Sequence, residues 1–196
     1  TMMELYEAYA DYHDMMDITE EIYRAAMKAA GKEGKITYQG TEIDMTFPWE
    51  RLTMLEAIKR YVGIDYDKMT AEEALAAAKA AGGEIDPKKT AWGNIVYATF
   101  DQKVEEKLIQ PVFITDYPVE ESPLTKRSNE DPRLTYRFEF FIFAREMGNA
   151  YSELNDPIDQ RERFERQVAL RDNGDDEAQM MDEDYVMALE YGLPPT

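Results

Sequence analysis

Arg137-Phe-Glu-Phe-Phe-Ile-Phe-Ala-Arg-Glu-Met-Gly-Asn-Ala-Tyr-Ser-Glu-Leu-Asn-Asp156 sets three glutamates, Glu139, Glu146 and Glu153, into a run of aromatic and aliphatic residues. The run reads as two β-strands, largely buried. Carboxylates are among the least often buried side chains, because removing an ionised one from water is costly unless it is paired or binds a metal. Strands carrying three of them point to a cation, and this segment is where function is expected.

A turn at Phe143-Ala144 would set Phe141 opposite Glu146 and Glu139 opposite Gly148. Glu139 and Glu146 would then be diagonal neighbours on one face, about 7–8 Å apart. Two carboxylates that close repel unless a proton or cation lies between them. Oxygen-only ligands suit a hard ion such as Mg²⁺, with substrate phosphates completing its shell. Edge-strand charges facing water are the alternative. Asn149, Tyr151 and Glu153 share strand parity, as do Glu4 and Tyr6, and such a set can bind an ammonium through charge-assisted hydrogen bonds. Tyrosines at strand spacing also serve as plain core.

Outward from this segment, Met2–Tyr6 reads as a short strand. Apolar residues at Tyr9, Tyr12, Met16, Tyr23, Met27 and Ala30 mark an amphipathic helix ending at Gly31 and Gly34. Ile36–Tyr38 and Ile43–Phe47 alternate around Gln39-Gly40 as a hairpin. Thr53 with Glu56, and Thr70 with Glu73, have capping-box spacing, and helices are expected over 71–81 and 92–107. A strand follows over 111–115, then a proline-containing loop from Pro118 to Pro132. Asp156-Pro157 opens a polar helix that Asn173-Gly174 closes, and a last helix covers Glu183–Tyr191. No internal repeat is evident. The expected architecture is α+β: an antiparallel sheet with packed helices, divided into core (1–52), a helical insertion (53–107) and core again (108–196).

Among 196 residues, 44% are hydrophobic and 12% aromatic, which indicates a folded chain with one substantial core. The formal charge of −19 argues against a chain that grips DNA or RNA by itself, though an acidic cleft suits a cationic small molecule. The absence of cysteine excludes disulfides and thiolate metal sites and fits a cytoplasmic setting. No leader or membrane-length apolar run is seen. Beginning at Thr1-Met2-Met3 and stopping at Leu193-Pro194-Pro195-Thr196, the sequence reads as a piece of something longer. The single histidine, His13, has no Ser or Cys motif beside it and reads as structural. The charges at Asp175-Asp176 and Asp182-Glu183-Asp184 read as solvated helix starts.

Five blocks, in order along the chain, closely resemble bacterial-type class II lysyl-tRNA synthetase: 1–12, Ser122-Pro123-Leu124, Gly148–Asp156, Gly174–Ala178 and Ala188–Thr196. The resemblance implies ATP-dependent activation of lysine to lysyl-adenylate and transfer to tRNA(Lys). It implies that Glu139 and Glu146 are the Mg²⁺ and ATP carboxylates. Glu153 and Tyr6, with Glu4 close by, would hold the lysine ε-ammonium; Asn149 and Tyr151 would form the pocket wall. In that family an anticodon-reading barrel, the motif that forms the homodimer and an ATP-gripping Arg come before this region. A glycine-rich motif with a second Arg follows it. None of the catalytic arginines falls within 1–196, so the isolated chain is expected to be inactive. The sequence departs from the family at Phe143-Ala144, where a glycine-rich pair is usual, at Tyr136, where Asp is common, and at Thr125, where Ala is usual. The elongation-factor-P lysine ligase paralogue and a non-catalytic lysine-binding module share the fold and stand as alternatives.

Overall fold

Local hydrogen-bond chemistry sets most helix ends in the computed structural model, which describes residues 2–175 and 178–196. Asp11 caps helix α1 (Tyr12–Ala30) in a reciprocal box with Asp14, and Gly31 closes it at φ 62°. The same device opens α2 (Met54–Val62) through Thr53 and Glu56, and α3 (Ala71–Ala80) through Thr70 and Glu73. Each box satisfies backbone N–H groups that a helix start otherwise leaves unpaired. Asp156 caps α5 (Pro157–Asp172), with proline in its first turn. Asp182 caps α6 (Glu183–Tyr191). Helix α4 (Trp92–Lys103) stops short of the expected Lys107, and a 3₁₀ turn takes Glu105–Lys107.

Strands β1 (Lys35–Tyr38) and β2 (Thr41–Asp44) form the expected hairpin, with Gln39 and Gly40 both at positive φ. β2 ends at Asp44 instead of Phe47, because the Asp44 carboxylate accepts from the Thr46 N–H and turns the chain. The main sheet runs β3 (Glu50–Thr53), β4 (Val112–Thr115), β5 (Arg137–Phe141), β6 (Glu146–Tyr151). β3 and β4 are parallel, so the sheet is mixed and not wholly antiparallel as expected; β4–β5 and β5–β6 are antiparallel. The α+β class holds. Side chains alternate across the sheet: Phe113, Phe138 and Phe140 pack with Trp49 against α1, while Val112, Ile114 and Phe141 pack under α2–α4.

Met2–Tyr6 does not form the expected strand. Tyr9 N–H donates to Pro195 O at 2.6 Å, but residues 2–6 find no strand partner among the described residues and lie exposed. β6 is likewise less buried than expected, since its outer edge is unpaired among the described residues and Glu146, Met147 and Asn149 are exposed. The acidic pair Asp175-Asp176 divides: Asp175 is mostly buried and bridges Lys89 at 2.9 Å, while Asp176 and Glu177 lie outside the described residues. Asp182, Glu183 and Asp184 sit at the start of α6 as read from sequence.

Phe143 and Ala144 make the β5–β6 turn at φ 57° and 53°, a left-handed conformation that costs an L-residue about 1–2 kcal/mol. The turn survives because it is braced from outside. Phe143 N–H donates to Ile109 O at 2.9 Å, Ala144 N–H to Leu108 O at 2.7 Å, and the Phe143 ring meets Tyr38 edge-on at 5.0 Å. Ala144→Gly keeps both backbone bonds and removes the strain at one position. It is expected to stabilise the fold by about 1 kcal/mol, read as a higher midpoint in urea. A lower midpoint would show that the turn is not strained.

Gly93 lies in the first turn of α4, where Ala91 supplies no side-chain cap and the Glu120 carboxylate packs closely against the glycine. A Cβ there would fall 2.0 Å from Glu120 Oε2 and 2.6 Å from Pro118 Cβ. Gly93→Ala gains about 1 kcal/mol of helix propensity. Overpacking costs about 1–3 kcal/mol, and both Pro118 and the Glu120 carboxylate would have to move. A net loss of stability is expected in urea melts; a rise would sink this account of the glycine.

Candidate functional site

A cavity of about 710 Å³ opens between residues 2–7, helix α1 and the free edge of β6. Glu4, Tyr6, Glu146, Asn149, Tyr151 and Glu153 all line it. Six of the seven site residues expected from sequence therefore share one space, although residues 2–6 arrive as extended chain and not as a strand. Asn149 and Tyr151 come from alternate positions of β6, and Glu153 follows where a bridge to Thr125 prolongs that strand.

Glu153 is half-buried and has no cationic or hydrogen-bonding side-chain partner among the described residues. Burial pushes its carboxyl above the usual range. Burial also raises the Tyr151 phenol to about 12, with help from the charge of Glu153 and the nearby Tyr6 and Tyr185. Tyr185, on α6, is raised by burial and by the same carboxylate, and its ring packs on Phe164 at 6.0 Å. One carboxylate thus sits among three phenols. Such a group lacks a positive charge, and an incoming ammonium would supply it while the phenol oxygens accept its remaining N–H bonds.

The seventh residue, Glu139, is not among the residues lining this cavity, although it shares its sheet face with its cross-strand partner Asn149. It is 6% exposed, with Tyr117 Oη donating to Oε2 at 2.8 Å and Arg137 Nη2 donating to Oε1 at 2.6 Å. Burial raises its carboxyl, the Arg137 guanidinium opposes that, and the charge of Glu146 adds to the rise. Glu139 and Glu146 are therefore electrostatic neighbours, as the turn reading required. Their register differs from the expected one: Phe141 does face Glu146, but Glu139 faces Asn149, not Gly148. A bulge at Met147, between Phe140 and Phe141 on the partner strand, absorbs the extra residue. Gly148 then lies opposite Phe140, where a Cβ would stand 2.8 Å from the ring.

The donor set fits a hard divalent cation of the kind phosphates complete. Glu139 has about two lone-pair sites beyond its present contacts, and among the described residues exposed Glu146 hydrogen-bonds Asn149 Nδ2 alone, at 3.5 Å. Among the described residues no cluster of three or more acidic or histidine side chains could hold a metal unaided. Two carboxylates with phosphate oxygens is the arrangement Mg²⁺ prefers. His13 is exposed, and among the described residues the charged group it touches is Asp11, at 3.5 Å, in keeping with a role outside the site.

Sequence reasoning missed Arg137, Tyr117 and Tyr185. The first had a usable signal, since Arg137 and Glu139 are two apart and so share a strand face. Tyr117 and Tyr185 come from separate elements and gave none.

A sheet flanked by helices, with acidic and phenolic side chains gathered at one edge, is the architecture of a class II synthetase core. The family model described as tRNA synthetases class II (D, K and N) matches residues 1–196, and the chain belongs to that family. It is 59% identical to the lysine–tRNA ligase of Pelotomaculum thermopropionicum over its whole length, which is 39% of that relative. Identity to the lysine–tRNA ligases of Moorella thermoacetica and Carboxydothermus hydrogenoformans is 57% and 56%, in each case over all of this chain and 40% of the relative. The chain thus spans about 40% of the length of the curated relatives it matches. No helix among the described residues is long and apolar enough to cross a membrane.

Proposed function

We propose that this chain forms the central part of the catalytic domain of a cytoplasmic lysine–tRNA ligase. Such a ligase joins lysine to the α-phosphate of ATP, releasing pyrophosphate, and then passes the lysyl group to tRNA(Lys). The observation that carries the reading is Glu153: a half-buried carboxylate without a cation, facing a cavity ringed by Tyr6, Tyr151, Asn149 and Glu4. Glu153 and Tyr6 bind the ε-ammonium, and Glu4 adds negative potential at the mouth. Asn149 and Tyr151 form the wall toward the amino acid's backbone end. A pocket built to pair a charge rejects uncharged analogues, because its own carboxylate would stay unpaired.

Glu139 and Glu146 are the nucleotide-side carboxylates. Mg²⁺, when bound there, would neutralise charge on the ATP phosphates. This chain's own contribution is to present two carboxylates from adjacent strands, Glu139 from β5 and Glu146 from β6. The helices spanning 53–107 are an insertion between the core segments 1–52 and 108–196, and the homodimer and tRNA contacts belong to the whole protein. The elongation-factor-P lysine ligase remains a second reading of the same pocket, since the ammonium site would serve either acceptor.

The test is ATP–pyrophosphate exchange by a ligase of the relatives' length carrying this chain. Exchange should depend on lysine and be absent with norleucine, which keeps the chain length and lacks the ammonium. Comparable exchange with norleucine would overturn the pocket assignment. Charging of tRNA(Lys), as against lysylation of the protein acceptor, separates the two readings.

A further inference from the structure

Arg137 does more than balance the charge of Glu139. Its Nη2 donates to Glu139, while Nη1 donates to Glu121 O at 2.8 Å and to Ser122 Oγ at 3.1 Å. Its guanidinium lies 4.7 Å over the ring of Tyr117, whose hydroxyl holds the other Glu139 oxygen. A planar fork held on both arms and one face has little freedom left. The segment it rests on is itself pinned. The carbonyl of Ser122 accepts from Arg163 Nη1 at 2.9 Å, that of Pro123 from Gln160 Nε2 at 3.2 Å, and that of Leu124 from the Leu154 N–H at 2.9 Å. Thr125 O accepts from Arg163 Nη1 at 2.7 Å. With Glu121 O taken by Arg137, every backbone carbonyl from 121 to 125 is engaged. Irregular backbone satisfied so completely is a rigid seat, not a loose connection.

We propose that Arg137, seated on the Glu121–Thr125 segment, is a positioning residue that fixes the orientation of the Glu139 carboxylate for the nucleotide-bound divalent cation. The Ser122-Pro123-Leu124 block gains a role this way: it anchors the arginine that aims a ligand. The inference rests on the reading of Glu139 as a nucleotide-side carboxylate. Groups that orient a metal's ligands typically change metal affinity 10–100-fold when removed.

The experiment uses the full-length ligase, Mn²⁺ as the probe and a non-hydrolysable ATP analogue, with bound Mn²⁺ read by electron paramagnetic resonance and lysine binding by calorimetry. Arg137→Met is expected to weaken Mn²⁺ binding about tenfold or more while the lysine Kd stays within about twofold. Arg137→Lys should recover part of the loss, since it restores the charge without the fork, and Tyr117→Phe should show a smaller loss. A purely structural arginine would lower the melting temperature and leave Mn²⁺ affinity of the folded protein unchanged. Should Arg137→Met not fold, Arg137→Lys and Tyr117→Phe carry the same comparison. Glu139→Gln is run in parallel. Loss of Mn²⁺ binding in Glu139→Gln with none in the Arg137 and Tyr117 variants overturns the positioning role alone. Unchanged binding in all of them overturns the assignment of Glu139 as well.

Discussion

Glu153→Gln is expected to weaken lysine binding by the full-length ligase on the order of a hundredfold or more, with little change for ATP. The substitution keeps the shape and one acceptor oxygen but removes the negative charge. Removing one partner of a desolvated, hydrogen-bonded ion pair costs about 2–5 kcal/mol, because the ammonium is then stripped of water without a counter-charge. The unliganded protein should respond the opposite way. Burial raises the Glu153 carboxyl above its ordinary value. An acid whose folded pKa is raised costs stability when ionised, and that cost is relieved as pH falls through the folded pKa. A neutral amide at this position avoids the cost at neutral pH. The variant should therefore melt at the same or higher temperature while failing to bind lysine, the pattern of a residue kept for function at the expense of stability. Calorimetry with lysine and with ATP, beside a thermal melt, checks both halves. Equal losses for the two ligands, or a lower melting point with normal lysine binding, would show that Glu153 is structural.

What the sequence made legible was local. The capping boxes at Thr53 and Thr70, the Gln39-Gly40 turn and Asp156-Pro157 each carry their geometry within a few residues, and each appears where expected. What stayed hidden depends on partners far along the chain. β3 is four residues with one buried side chain, Leu52, and becomes a strand only because β4 lies parallel beside it. Met2–Tyr6 shows the opposite case: its alternation permits a strand, yet backbone groups form one only when a neighbour accepts them. Phe143-Ala144 is poor chemistry for a tight turn, yet the turn forms because Leu108 and Ile109 accept its N–H groups. Gly148, next to the bulged Met147, carried a signal that the expected register did not use, since an isolated glycine in a strand pattern often marks a bulge. For the site, side-chain parity along β6 grouped Asn149, Tyr151 and Glu153, and all three line one cavity, whereas the clamp on Glu139 is assembled from separate segments of the chain.

Asp159→Asn is expected to cost the most stability of any single substitution considered, because two arginines depend on that carboxylate. Arg163, 3% exposed, donates to both Asp159 oxygens at 3.1 and 3.0 Å, and Arg127 donates to the same pair at 3.2 and 3.4 Å. Burial works to raise the Asp159 carboxyl, but hydrogen bonds from Arg163 and Arg127 hold it down at about 2, against an ordinary value of 3.8. Neutralising it leaves a buried guanidinium without its counter-charge, which costs about 3–5 kcal/mol. That is a large share of the roughly 5–15 kcal/mol that keeps a domain folded. The sign of the pH effect follows from the depressed pKa: the stabilisation is fully present above about pH 4 and is lost as pH falls toward 2. Wild-type protein should accordingly lose about 2 kcal/mol across that window through this one group, and the Asn variant should lack that component. Urea melts at pH 7 and pH 2 measure both. An Asn variant as stable as wild type at pH 7 would mean that Arg163 is satisfied by the Ser122 and Thr125 carbonyls alone. In the expected case, releasing Arg163 also frees the segment that seats Arg137, so damage on α5 should reach Glu139 and weaken nucleotide-dependent Mn²⁺ binding in the folded variant. A control at Arg161, which pairs with exposed Glu183 on the solvent side of the same helix, should move neither stability nor Mn²⁺ binding appreciably.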